Sequence, residues 1–168
     1  DVYKRQAWME PAEWLGNATR YPLHMISNQP RDKLHSQLDH GAISRTGKID
    51  GREPVVMHPD DARRRGIRDG DVVRVFNERG SCYCGARISD DIRPGVIQIS
   101  TGAWFDPETP GALTACKHGN PNMLTLDKGG SKLSQGPIAH SCLVEAERAL
   151  NPPPVTAFKP PAIIRRTS

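Results

Sequence analysis

The sequence predicts a mainly β fold, a small barrel with one short helix set into it. Fifteen prolines in 168 residues, many outside any periodic pattern, favour tight turns over a helical bundle. Between Glu53 and Thr101, short alternating apolar runs and one helix are joined by tight turn signals. A chain of this length buries one good core, so one domain with flanking tails is expected.

The elements follow in order. Residues 1–20 read as an N-terminal extension, in which Trp8 and Trp14 would be anchors for a larger surface. Tyr21 to Ser27 (YPLHMIS) is a strand closed by Asn28-Gln29-Pro30. Arg31 to Arg52 is polar with little periodicity, and so long an irregular stretch is usually functional. Glu53 to His58 is a short strand. Pro59 then opens a helix through Arg65, with Asp60 and Asp61 in its first turn and Gly66 as its stop. Val72–Phe76, Cys82–Ser89 and Val96–Ser100 are strands separated by turns at Arg68–Asp71, Asn77–Ser81 and Arg93–Gly95.

Beyond Thr101 the pattern loosens. Gly102 to Gly119 is a loop rich in Pro, Gly and aromatics, in which Trp104 either packs the barrel, the favoured reading, or approaches a bound ligand. The run MLTL, Met123 to Leu126, is expected to be a strand. Lys128 to Pro137 is a Gly/Ser-rich loop, and Ser141 to Leu150 is a helix or a strand. These close a domain spanning residues 21–150. Asn151-Pro152-Pro153-Pro154 ends it, and 151–168 is an extended C-terminal tail.

Charge and motifs restrict the function. Net charge is +4, with arginines clustered at 63–65 and 165–166; both clusters are read as solvated face and tail, not a nucleic-acid track. Aromatics at 5% are too sparse for base stacking. No apolar run approaches the ~20 residues of a bilayer span, so membrane insertion is not expected. The four cysteines form no CxxC pair and no cluster at zinc spacing; Cys82 and Cys84 alternate within a strand, as small buried hydrophobes would. Nucleophile elbow, P-loop, HExxH and dinucleotide glycine motifs are absent, so no residue is assigned a catalytic or metal-ligating role.

Polar groups concentrate instead in three loops: Ser27 to Ser36, His118 to Asn122, and Ser131 to Gly136. Asn and Gln offer two donors and an acceptor each, which suits the mixed edge of a fused nitrogen heterocycle. Glycines let backbone N–H groups approach a diphosphate closely.

Four ordered blocks carry a resemblance: YPLHMISNQPRDKLHSQLDHG, REPVVMHPDDARRRGIRDGDVVRVFNERG, RPGVIQISTGAWFDP and KHGNPNMLTLDKGGSKLSQG. Together they resemble the molybdopterin-dinucleotide-binding domain of the dimethyl sulfoxide reductase family, in the branch of biotin sulfoxide, trimethylamine-N-oxide and dimethyl sulfoxide reductases. The likeness covers about Pro11 to Leu150. It implies a six-stranded double-psi β-barrel that closes over a bis(molybdopterin guanine dinucleotide) molybdenum cofactor. By motif position it implies cofactor contacts from Ser27, Asn28, Gln29, Leu34, His35, Ser36, Asn122, Gln135 and Gly136. It further implies a C-terminal domain of a larger S-oxide or N-oxide reductase, inactive alone, with upstream domains of the same polypeptide supplying the metal ligand. Family members occur in both cytoplasm and periplasm. The competing expectation is a non-enzymatic double-psi barrel that binds peptides or proteins, for which the amide-rich loops would have no purpose.

Overall fold

The computed structural model describes residues 8–159. Six strands close into one barrel: β1 (Leu23–Ile26), β2 (Pro54–Met57), β3 (Val72–Phe76), β4 (Ser81–Ile88), β5 (Val96–Ile99) and β6 (Leu143–Arg148). Their order around the barrel is β1-β5-β2-β4-β3-β6, with β1–β5 and β2–β4 parallel and the other pairs antiparallel. This is the closed, mainly β double-psi architecture expected. Closure leaves no strand edge unpaired.

Alternation made these strands. In β3 and β5 every second residue points inward, so Val73, Val75, Ile97 and Ile99 are fully buried. From β4 come Cys82, Cys84 and Ala86, also fully buried, with all four cysteines present as free thiols. Burial pushes the Cys142 thiol up to about 11 against the pull of Arg79, so it packs as a hydrophobe at neutral pH. Ser141 to Leu150, open between helix and strand, resolves as β6. Glu145 and Glu147 face outward while Val144 and Ala146 enter the core.

Two short helices accompany the barrel, α1 (Ala42–Thr46) and α2 (Pro59–Arg64). In α2 the His58 ring caps the Asp60 amide, Pro59 occupies the first position, and Gly66 at φ +62° ends the run. Its buried Asp61 carboxylate accepts from the Gly95 amide at 2.6 Å, tying the helix to the turn before β5. Arg63 and Arg64 extend into solvent, whereas Arg65 is largely buried and pairs with Glu145 at 2.6 Å. The Arg165-Arg166 pair lies outside the described residues.

One expected strand is absent. Asn120 accepts from the Asn122 amide and Pro121 fixes the first position, so Pro121–Met123 winds into a 3-10 turn in place of the start of the MLTL strand. Leu124 follows as a fully buried plug. Its carbonyl accepts from Asn77 Nδ2 (2.8 Å), Arg79 Nε (2.7 Å) and Cys142 Sγ (3.2 Å), so side chains replace a ladder partner. Truncation by Leu124→Ala should lower unfolding free energy by about 2–5 kcal/mol, measured by denaturant titration.

The flanking segments lie on the barrel. Glu13 pairs with Arg79 and accepts from the Leu143 amide at 2.6 Å, while Trp8 remains 77% exposed. At the other end of the described chain, Asp106 accepts from the Thr156 and Ala157 amides at 2.6 and 3.0 Å.

Candidate functional site

Strand register decides where the polar loops lie. β1 and β5 run parallel, with Ile26 beside Gln98, so both end at one rim. β2 and β6 run antiparallel to them and therefore begin at that rim; β4 begins there with β2, and β3 ends there. The connections 27–53, 77–80 and 100–142 all leave this mouth. Among the described residues, the opposite rim carries α2, the turns 65–71 and 89–95, and the segments that enter β1 and leave β6. Every residue proposed for the site thus belongs to a loop rooted at one end of the barrel.

Within the mouth, individual placements differ. Asn28 joins two strand ends: its Oδ1 accepts from Gln98 Nε2 (2.9 Å) and Ser100 Oγ (3.1 Å), and its carbonyl accepts from the Thr101 amide. The Ser27 amide donates to His140 Nδ1 at 3.3 Å, which brings the root of the 127–141 loop against β1. His35, Ser36 and Asn122 come together. With Thr101 to Phe105 and Asn120 they line an open cleft of 390 Å³. Trp104 forms part of its wall; the indole Nε1 donates to the Ser36 carbonyl at 2.8 Å, so this side chain packs and lines at once. Gly102 sits so close to the β1–β2 loop that a Cβ would lie 1.7 Å from the His35 carbonyl oxygen.

Other predicted residues do not reach that cleft. Gln29 is exposed and its amide donates to the Lys33 carbonyl at 2.7 Å, while Leu34 is 56% exposed. Gln135 folds onto its own loop, donating to the Ser131 carbonyl at 2.8 Å, and the Gly136 carbonyl accepts from the Gly130 amide at 2.7 Å. Both stand exposed on a loop rooted at the same mouth.

Joined to the cleft wall through the Trp104 amide, and lining a separate pocket, is an arrangement that sequence reasoning missed. Lys33 Nζ reaches Asp39 Oδ1 (2.8 Å) and Glu53 Oε2 (2.6 Å); Lys48 Nζ reaches the same two atoms at 2.8 and 3.0 Å. All four side chains are at most 7% exposed. Two cations and two carboxylates sum to zero, which is what permits the burial. Burial works against the Asp39 carboxylate, but hydrogen bonds from Lys33, Lys48 and the Trp104 amide outweigh it and hold its pKa below the ordinary value. These residues lie 5 to 20 positions apart and share no period. The only available signal was that 31–52 is too long and too charged to be idle.

His118 sits beside this cluster, fully buried, with Nδ1 3.1 Å from the Trp104 carbonyl. Burial first, then the Lys48 ammonium, pushes its pKa below the ordinary 6.5. The ring is therefore neutral at physiological pH and donates from Nδ1 to that carbonyl. An unfolded chain takes up this proton near pH 6.5 and the folded one does not, so stability is complete above that pH and drains below it, until the lowered folded value is passed. Unfolding free energy measured from pH 7 down to 5 should fall by up to about 1.4 kcal/mol per pH unit, and His118→Gln should remove that component.

Residues 23–143 match the family described as "Molydopterin dinucleotide binding domain". A biotin sulfoxide reductase of Cereibacter sphaeroides is 51% identical over 88% of the chain, and a dimethyl sulfoxide/trimethylamine N-oxide reductase of that organism is 46% identical over 96%. A trimethylamine-N-oxide reductase of Haemophilus influenzae is 43% identical over 96%. The chain spans 20% of the length of each of these relatives. Among solved structures, acetylene hydratase from Pelobacter acetylenicus superposes with a TM-score of 0.68 over 85% of this chain and 21% of that one. At 21% identity, that likeness concerns the fold alone.

Proposed function

The chain belongs to the molydopterin dinucleotide binding domain family, and from that premise we propose that its mouth loops grip the molybdopterin guanine dinucleotide of a larger S-oxide or N-oxide reductase. The observation carrying this reading is that three amide- and hydroxyl-bearing loops are rooted at one rim, two of them lining a 390 Å³ cleft there. That volume lies in the range of small-molecule sites.

The residues fit such a group. No described residue pairs with the Asn122 carboxamide, the His35 ring or the Ser36 hydroxyl, and these line the cleft beside the half-exposed faces of Trp104 and Phe105. Polar edges beside a flat aromatic wall suit a fused heterocycle. Ser27 and Asn28 at the β1 end, Gln29, Leu34, His35 and Ser36 after it, Asn122 on the 3-10 turn, and Gln135 and Gly136 on the outer loop would hold and orient the dinucleotide. When bound, the molybdenum centre supplies oxygen-atom transfer. This chain's residues bind, orient and exclude water; upstream domains of the same polypeptide complete the site.

Asn122→Leu and Gln135→Leu test the assignment in the full-length protein. Each should lower molybdenum and pterin content at purification, by about 1–3 kcal/mol of retention, while barrel stability is unchanged. Normal cofactor content in both variants would remove these two residues from the site. A specific peptide partner, with no cofactor in the full-length protein, would favour the peptide-binding barrel.

A further inference from the structure

The segment that follows β6 returns to the mouth. Arg52 Nη2 donates to the Pro153 carbonyl at 2.6 Å. Thr156 Oγ1 donates to the Asp106 carboxylate and accepts from Lys117 Nζ at 2.8 Å. Phe158 then lies flat on His40 (4.8 Å between centroids, 4° between planes) and meets the edges of Trp104 and His118 at 5.5 and 4.7 Å. Lys48 Nζ of the buried charge cluster stands 5.6 Å from the Phe158 ring centroid. One aromatic side chain therefore touches the β1–β2 loop through His40 and Lys48, and the β5–β6 loop through Trp104 and His118.

We propose that Phe158 is a positioning residue for the dinucleotide, a key that locks the two cleft-forming loops to each other and covers the Lys48 side of the Lys33–Asp39–Lys48–Glu53 cluster. It lines no part of the cleft itself and acts through Trp104, whose indole spans Phe158 on one side and the Ser36 carbonyl on the other. The charge cluster supplies the reason for such a cover, since Lys33, Lys48 and Glu53 already line a pocket on their other side. Ion pairs in a dry site hold their geometry strongly, and water admitted to them weakens the attraction and frees both loops. The ligand named here rests on the cofactor reading above; the lock itself does not.

The test uses the full-length protein, comparing wild type with Phe158→Ala, Phe158→Tyr and Thr156→Val. Thr156→Val attacks the other anchor of the same segment without touching the ring. Amide hydrogen exchange and cofactor content are measured on each. Phe158→Ala should speed exchange across 33–48 and 102–118 on the order of tenfold, with the strands unchanged. It should also lower pterin retention, and Phe158→Tyr should restore both. Thr156→Val should move both readouts in the same direction to a smaller extent. Unchanged exchange in Phe158→Ala overturns the lock. Faster exchange with undiminished cofactor, or failure of tyrosine to restore it, overturns the positioning role. A wild type without pterin overturns the cofactor reading, while the exchange arm still judges the lock.

Discussion

Replacing Asp39 with alanine should lower unfolding free energy by about 3–5 kcal/mol. The substitution leaves two ammonium groups, Lys33 and Lys48, facing one carboxylate, Glu53, in a site almost closed to water. It also strips the Trp104 amide of its acceptor, Asp39 Oδ2 at 3.0 Å. An uncompensated buried charge and an unpaired buried donor act together, and the damage falls on both mouth loops. Breaking the exposed Arg31–Asp32 pair by Asp32→Ala should cost no more than about 1 kcal/mol, because solvent screens it. Denaturant unfolding of the two variants side by side separates a structural cluster from a decorative one. Equal, small losses would show that the cluster admits water freely.

The second large effect is expected at Gly102. Its φ of +96° already excludes most side chains, and an added Cβ would lie 1.7 Å from the His35 carbonyl oxygen and 2.4 Å from its carbon. Backbone atoms cannot swing aside as a side-chain tip can, so Gly102→Ala must drive the β1–β2 and β5–β6 loops apart at the cleft floor. Gly70→Ala provides the control: it has a similar φ of +83°, nothing within 4 Å, and a position at the far rim. Gly70→Ala should lose about 1 kcal/mol of stability from backbone strain, and Gly102→Ala should lose more, because the clash adds to that strain. Only Gly102→Ala should lower cofactor retention in the full-length protein, on the order of tenfold or more, equivalent to about 1.4 kcal/mol. Equal retention in the two would mean that the loop contact does not shape the site.

Much of the barrel was legible because its strands obey a period of two. Val73 and Val75 in β3, and Ile97 and Ile99 in β5, announce one buried face, and Pro59, Asp60 and Gly66 mark the helix between strands. Met123 to Leu126 misled because MLTL has strand composition, while Asn120 and Pro121 just before it impose a turn and side chains satisfy the Leu124 carbonyl. β6 stayed ambiguous because Glu, Ala and Arg favour helices, and its outward Glu145 and Glu147 became decisive only beside β3. Of the site, the residue types in the three loops were visible and their convergence was not. Convergence follows from parallel pairing of β1 with β5 and β2 with β4, contacts made between distant segments. The four-charge cluster was hidden for the same reason: nothing in residues 33, 39, 48 and 53 marks them as neighbours until the chain closes on itself.

A structure of the full-length protein loaded with its cofactor bears most directly on the claim that this rim is the gripping surface. The dinucleotide is expected against His35, Ser36 and Asn122, with Gln135 and Gly136 drawn in from the outer loop, and nothing at the opposite rim beside α2. A pterin dinucleotide seated at residues 65–71 and 89–95, or held wholly by other domains with the 390 Å³ cleft filled by solvent, would contradict it.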